Sequence, residues 1–146
     1  MQLHVDHLLK PLAHSSQNQC FGCGPANPTG LRLEFLVAED GAVVSLPEIP
    51  ISFEGHPGFL HGGVIATLLD EAMSKAVRAL GYPSVTAKLE VDFRRPVPSG
   101  VRLRIEGCVV SSEGRKHWTE AVIADANQNI LANGKGLFVE IAPRAI

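Results

Sequence analysis

The spacing of hydrophobic and polar residues first predicts a β-hairpin in the N-terminal third of the chain. Residues 31–37 alternate apolar and polar side chains, which is typical of a half-buried strand. Asp40 and Gly41 form a tight-turn signal, and residues 42–46 continue as a second strand. Pro47 is expected to end this strand, because proline cannot donate to a β-ladder. Residues 51–60 then read as a loop.

Between Gly63 and Leu80 the spacing becomes helical. Apolar side chains fill a broad arc of the helical wheel, with Asp70 at its edge and Glu71 on the polar remainder. Glu71 is therefore expected to be solvated. Gly81 is a natural end signal.

Alternating segments follow the helix at residues 85–93, 101–106, 117–126 and 130–141. The alternation places Thr86 on the face opposite to Val85 and Leu89. Two strands, one apolar helix and an antiparallel meander predict an α+β fold, because so apolar a helix needs a sheet curved around it.

Composition favours a globular domain. The chain has 146 residues, of which 45% are hydrophobic and 19% charged, with a net charge of −2. Nothing in this balance indicates a nucleic-acid or membrane partner, and no apolar run approaches the roughly 18 residues that span a bilayer. The N-terminus does not resemble a secretory signal, and three cysteines favour reduced thiols and a cytoplasmic location. Residues 1–28 are predicted to form an N-terminal arm and residues 29–146 a single domain.

The candidate chemistry lies where the helix begins. His61-Gly62-Gly63 leads directly into the helix, and Asp70 follows nine residues after the histidine. Unpaired N–H groups at a helix start, aligned with the helix dipole, suit a carbonyl oxygen or an anion. An aspartate on the same helix is a candidate base or nucleophile.

Three motifs together resemble the hotdog-fold acyl-CoA thioesterases, in particular the PaaI-like proteins and the thioesterase superfamily members. These are the segment from Cys20 to Leu31, His61-Gly62-Gly63 with its following Asp70, and the segment from Asp92 to Pro98. The resemblance covers residues 20–141. It implies the hotdog fold, in which a curved antiparallel sheet wraps around one long central helix.

The resemblance also implies an activity and its residues. The reaction is hydrolysis of an acyl-CoA thioester to a free acid and coenzyme A, with no cofactor because coenzyme A is part of the substrate. Gly62 would polarise the carbonyl through its N–H, and Asp70 would act as general base or as nucleophile. His61 would hold the turn, and Thr86 would orient the acid, although the strand alternation points Thr86 the other way.

Further residues are expected to bind the substrate. Many relatives carry Asn or Gln six residues before the histidine, where this chain has Gly55. His56 is adjacent and either substitutes for that donor or is an ordinary loop residue. Guanidinium and ammonium groups suit the phosphates of coenzyme A, although ordinary surface charge is the simpler explanation for any one of them. The predicted binding residues are Gly63, His56, Arg94, Arg95, Arg115 and Lys116.

Cys20 and Cys23 form one CxxC pair, which supplies only two of the four ligands that zinc usually takes, so no metal site is expected. By resemblance the chain is a homodimer, with pairing into a homotetramer left open, and Gly62 and Asp70 of one site come from different subunits. Two alternatives to hydrolysis stay open: a non-catalytic acyl-CoA-binding or regulatory protein, and a 3-hydroxyacyl thioester dehydratase. The identity of the acyl chain is not readable from the sequence.

Overall fold

The computed structural model describes residues 9–142, which form one sheet of seven strands and one long helix. A 3₁₀ turn at Ile51–Phe53 precedes the helix. The strands are β1 (Lys10–Pro11), β2 (Leu36–Val37), β3 (Val43–Ser45), β4 (Ser84–Phe93), β5 (Arg104–Glu113), β6 (Lys116–Ala124) and β7 (Ile130–Glu140), and the helix is α1 (Gly62–Ala79).

Neighbouring strands are antiparallel throughout, in the order β1-β2-β3-β5-β6-β7-β4. The helix packs against one face of this curved sheet and contacts β3 to β7. The predicted α+β hotdog arrangement is confirmed. The centre of the core is apolar and fully enclosed, and it includes Phe35, Leu68, Leu69, Met73, Ile105, Ile123 and Phe138. No helix in the described part of the chain is long and apolar enough to cross a bilayer.

The helix lies very close to the sheet because small residues face it. A Cβ atom at Gly107 of β5 would lie 2.4 Å from the carbonyl oxygen of Ala72. On β7, a Cβ atom at Gly136 would lie 3.2 Å from the sulfur of Met73. These strand glycines let the helix backbone approach the sheet, which limits how far α1 can slide or rotate.

The predicted N-terminal hairpin is confirmed in part. Its turn forms as expected, with Gly41 at a φ of +88° and the Ala42 N–H donating to Asp40 at 3.1 Å. The first strand, however, is limited to Leu36–Val37 and does not extend over residues 31–37. Arg32 has a left-handed φ of +51°, and the N–H groups of Leu31 and Leu33 donate to carbonyls of the preceding loop. The backbone of residues 31–33 therefore hydrogen-bonds to the preceding loop instead of to a neighbouring strand.

The helix matches its prediction within one residue at each end, and Gly81 follows it at a φ of +98°. The expectation that Glu71 is solvated is wrong, since Glu71 is only 9% exposed. A loop formed by residues 20–24 covers this part of the predicted polar arc.

In the meander, β5 begins at Arg104 rather than at residue 101.

A bulge in β4 corrects the predicted orientation of Thr86. Thr86 pairs with Phe138, whereas Lys88 pairs with Leu137, so Ala87 is an extra residue in the ladder. An extra residue reverses the alternation of side chains beyond it. Thr86 therefore shares the helix face of the sheet with Leu89, and the simple alternation that placed them on opposite faces is wrong.

The described part of the predicted N-terminal arm packs on the domain. Lys10 and Pro11 pair with β2, and Cys23 is 3% exposed against the helix side of the fold. A domain boundary between residues 28 and 29 stays a prediction. Residues 1–8 of the arm lie outside the described residues.

Candidate active site

The turn at the start of α1 leaves one N–H group available. His61 is the N-cap, and its Nδ1 accepts a hydrogen bond from the Gly63 N–H at 2.9 Å. The N–H groups of Val64 and Ile65 donate to the carbonyl of His61. Among the described residues, no acceptor contacts the N–H of Gly62, which lies exposed at the positive end of the helix dipole. The geometry thus distinguishes the two glycines: only Gly62 has a donor free for a ligand.

The loop before the helix holds this turn in place. The His61 N–H donates to Phe53, and the Gly55 N–H donates to Phe59, so residues 53–61 form a compact bridge. A Cβ atom at Gly55 would lie 3.1 Å from the Cα of His61, so a side chain here would need a small shift of the turn. His56 is exposed beside it.

Asp70 is positioned by the strand that follows the helix. The Thr86 hydroxyl donates to Asp70 Oδ1 at 2.7 Å. Asp70 is half-buried, and no Lys or Arg of the described chain forms an ion pair with it. Asp70 is therefore not an ordinary surface aspartate whose charge is neutralised by a neighbouring Lys or Arg. The bulge in β4 brings the Thr86 hydroxyl to this side.

Gly62 and Asp70 are separated along one helix. Eight residues at a rise of about 1.5 Å each place them roughly 12 Å apart along the helix axis. Gly62 lies at the Phe93 end of β4, where a Cβ atom on it would be 3.8 Å from the Phe93 ring. Asp70 lies at the opposite end, bonded to Thr86. One carbonyl group cannot contact both residues of the same chain.

The predicted basic residues form two separate pairs. Arg94 and Arg95 follow β4, their N–H groups donate to Leu131, and Arg94 Nε donates to Asn133 Oδ1 at 2.6 Å. Arg115 and Lys116 lie at the β5–β6 turn, where the Arg115 carbonyl accepts from Glu140, the partner of Ser84 in the sheet. The two pairs are therefore at opposite ends of β4, and a single chain does not bring the four together.

Sequence reasoning missed a cluster between the N-terminal loop and α1. Cys20 Sγ lies 3.7 Å from Glu71 Oε1, and Lys75 Nζ lies 3.6 Å from Glu71 Oε2. Burial raises the pKa of the Cys23 thiol to about 11, with the Glu71 carboxylate acting in the same direction and Lys75 opposing it. Two glycines within Cys20–Gly24 were the available signal, since they allow this loop to lie directly against a helix.

A second cluster that the sequence did not indicate surrounds His117, which is 3% exposed. Ser112 Oγ is 2.7 Å from His117 Nδ1, and Glu140 Oε2 is 2.9 Å from Nε2. The ring also stacks on Tyr82 with centroids 5.5 Å apart. Both ring nitrogens are thus satisfied, as a buried imidazole requires, and the cluster ties β5, β6 and β7 together.

Comparison with known proteins identifies the family. Residues 57–132, more than half of the chain, match the family model described as Thioesterase superfamily. The chain belongs to the thioesterase superfamily. The match includes Gly62, Asp70 and Thr86, and stops within β7.

Individual proteins that are similar to this chain support its assignment to the superfamily. The acyl-coenzyme A thioesterase THEM4 of Xenopus laevis is 36% identical over 91 residues, which cover 62% of this chain and 41% of that protein. The chain therefore spans less than half the length of this relative. A crystal structure of a thioesterase superfamily protein aligns with a TM-score of 0.79 and 32% identity, covering 84% of this chain and 61% of that one. The PaaI protein of Escherichia coli shares the fold at a TM-score of 0.71 and 21% identity, covering 77% and 81% of the two chains.

The N-cap geometry predicts a structural effect of His61. Replacing His61 with Ala removes the acceptor of the Gly63 N–H and should lower the free energy of unfolding by about 1 kcal/mol, the usual effect of losing an N-cap. His61→Asn keeps a capping oxygen, so its free energy of unfolding should fall by only about 0.3 kcal/mol. Urea denaturation measures both, with His56→Ala in the exposed loop as the control. A His61→Ala protein as stable as His56→Ala would show that the cap is unimportant.

Proposed function

We propose that this chain hydrolyses acyl-CoA thioesters to a free carboxylic acid and coenzyme A. The observation that carries the proposal is the pairing of two features at one edge of the fold. One is the exposed Gly62 N–H at a capped helix start, and the other is Asp70, unpaired with any cation of the described chain and held by Thr86. The similarity to a relative named acyl-coenzyme A thioesterase supports the same substrate class.

In the proposed reaction, the Gly62 N–H and the Asp70 carboxylate each carry out one step. The Gly62 N–H donates to the thioester carbonyl oxygen and stabilises the oxyanion that forms on attack, an effect typically worth about 2.7–4 kcal/mol. Asp70 either removes a proton from the attacking water or attacks the carbonyl itself, giving an anhydride that water then opens. In both routes the carbon–sulfur bond breaks and coenzyme A leaves as the thiol after taking up a proton. The Thr86 hydroxyl fixes Oδ1 and leaves Oδ2 for the water.

The active site is proposed to form between two copies of the chain. The roughly 12 Å along one helix prevents Gly62 and Asp70 of the same chain from acting on one carbonyl. Within the described sheet β4 is an edge strand paired only with β7, and an uncovered edge is usually protected by a partner. A two-fold axis through the middle of β4 places the Thr86 end of one strand beside the Phe93 end of the other. Asp70 of one chain then faces Gly62 of the other.

The surface around β4 suits such a homodimer. Large apolar side chains are exposed there: Phe59, Leu80, Tyr82, Val85, Leu89 and Phe93. The same axis brings Arg94 and Arg95 of one chain to the end of β4 that carries Arg115 and Lys116 of the other. These basic groups are proposed to hold the phosphates of coenzyme A. Further pairing of dimers into tetramers is compatible with this arrangement.

Neither alternative activity gains support from the geometry. A dehydratase would favour a catalytic histidine with a partner acid, whereas the described histidine that contacts an acid is His117, which is buried at 3% exposure. A binding module has no need of a carboxylate held without a neutralising cation.

Replacing Asp70 with Asn should lower kcat for acyl-CoA hydrolysis by about 10²–10⁴-fold, because the variant loses its proton acceptor or nucleophile but keeps its shape. Binding of the intact acyl-CoA should change little. Free-thiol release measures the rate, and calorimetry measures binding. Glu39→Gln, an exposed carboxylate in the turn after β2, is the control and should keep the wild-type rate. A wild-type chain that binds acyl-CoA and releases no thiol would overturn the hydrolase proposal in favour of the binding module.

Replacing Gly62 with Pro tests the N–H itself. Gly62 is the first residue of α1, a position where proline is well tolerated, and His61 has the extended ψ of 139° that a residue before proline prefers. Gly62→Pro should lower kcat by about 10²–10³-fold, because only the N–H is removed. Gly62→Ala keeps the N–H, adds a Cβ atom only 3.8 Å from the Phe93 ring, and should stay near the wild-type rate. Equal activity of the two variants would exclude the Gly62 N–H as the carbonyl donor.

A further inference from the structure

A side-chain cluster outside the proposed active site joins the N-terminal loop to α1. Cys20 and Cys23 lie on the loop and Glu71 on the helix, and one ligand atom from each lies within 4.8 Å of the others. Thiolates together with a carboxylate are typical ligands of zinc. We propose that Cys20, Cys23 and Glu71 bind a zinc ion, with water in the fourth position.

The distances are close to those of a tetrahedral zinc site. Zinc binds sulfur at about 2.3 Å and carboxylate oxygen at about 2.0 Å, so a bound sulfur and oxygen lie about 3.5 Å apart. The distance between Cys20 Sγ and Glu71 Oε1 is 3.7 Å. Shifts of a few tenths of an ångström therefore bring this pair to coordination distance, and Cys23 Sγ lies within 4.8 Å of both atoms.

The loop backbone is built around the carboxylate. A Cβ atom at Gly22 would lie 2.4 Å from both Cγ and Cδ of Glu71, so a side chain here would displace the glutamate from its present position. A Cβ atom at Gly24 would lie 2.4 Å from the Cys20 nitrogen, and the Gly24 N–H donates to the Cys20 carbonyl at 2.8 Å. This tight turn holds both sulfur atoms on the side of the loop that faces α1.

Glu71 supplies a second, independent observation. It is 9% exposed, and its Oε2 accepts no hydrogen bond from the described residues. Lys75 Nζ is 3.6 Å from that oxygen, an ion-pair distance, and its ammonium also donates to the Cys23 thiol. Zinc bound through Oε1 would replace Lys75 at the Cys23 sulfur and leave it on Oε2, and Asn18 Nδ2 lies 3.6 Å from Cys23 Sγ as a supporting donor.

The charges of this arrangement balance. Two thiolates and one carboxylate carry three negative charges, which a divalent zinc ion and the Lys75 ammonium neutralise. Each thiol releases its proton to solvent on binding, as metal binding to cysteine requires. The competing account of the same cluster is a buried Glu71–Lys75 ion pair beside two neutral thiols. Neither account involves Gly62 or the Asp70 carboxylate, so the zinc proposal stands or falls separately from hydrolysis.

Metal titration of the purified chain tests the proposal. The protein is stripped with a chelator under reducing conditions and titrated with Co²⁺, which reports thiolate ligands by a charge-transfer band in the near ultraviolet. We expect one Co²⁺ per chain, displacement by Zn²⁺, and a higher thermal midpoint with Zn²⁺ bound. Cys20→Ser and Cys23→Ser should weaken binding at least about 100-fold, and Glu71→Gln about 10–100-fold, by analogy with the effect of losing even outer partners of metal ligands.

Matched controls use the same residue types elsewhere. Cys108→Ser removes the thiol on β5, whose neighbour Gly107 faces the helix, so Cys108 points to the other side of the sheet. Glu39→Gln removes an exposed carboxylate. Both should bind Co²⁺ as the wild type does. A wild-type chain without a charge-transfer band, or a band that survives in Cys23→Ser, would overturn the zinc site and leave the buried ion pair. The wild-type titration decides this even where a variant fails to fold.

Discussion

The close contact between α1 and the sheet is the constraint on which the rest of the structure depends. Gly107 has no side chain, and the helix backbone at Ala72 occupies the space that one would take. Met73 fills the neighbouring position against Gly136, and both helix residues are fully buried. A helix held this closely cannot slide or turn without opening a cavity or causing a clash, each of which costs on the order of 1–5 kcal/mol. Its ends and its polar edge therefore have fixed positions.

Those positions place the two chemical groups at the edge of the fold. The helix start emerges beside Phe93, and the middle of the helix presents Asp70 to Thr86. Both contacts are made with β4, the edge strand, so the packing that buries the helix also directs its polar groups towards the uncovered side of the sheet. The bulge after Thr86 is the local device that makes this possible, because it lets one strand offer a hydroxyl at one end and apolar side chains further along.

Much of this could be predicted from the sequence, where local periodicity and packing agree. The helix between residues 62 and 79, the turn at Asp40 and Gly41, and the antiparallel meander follow from spacing alone. The family motifs also indicated that His61 holds the turn, and His61 caps the helix; the role of Gly62 as carbonyl donor stays a prediction.

The remaining features depend on contacts between distant segments. The bulge after Thr86 is set by its pairing with Phe138, more than fifty residues away. The first predicted strand was shortened because residues 21 and 22 bind its backbone. Glu71 is buried because the same loop covers the helix there. Periodicity along one segment carries no information about what another segment places against it, so these errors share one cause.

The proposed sharing of one active site by two chains is tested most directly by mixed dimers. Chains with Asp70→Asn and chains with Gly62→Pro are co-expressed with different tags, and the mixed species is purified. In a shared site, one of the two sites of the mixed dimer has both intact groups, so the account predicts about half of the wild-type rate from two inactive parents. A mixed dimer no more active than its parents would contradict a site formed by Gly62 of one chain and Asp70 of the other.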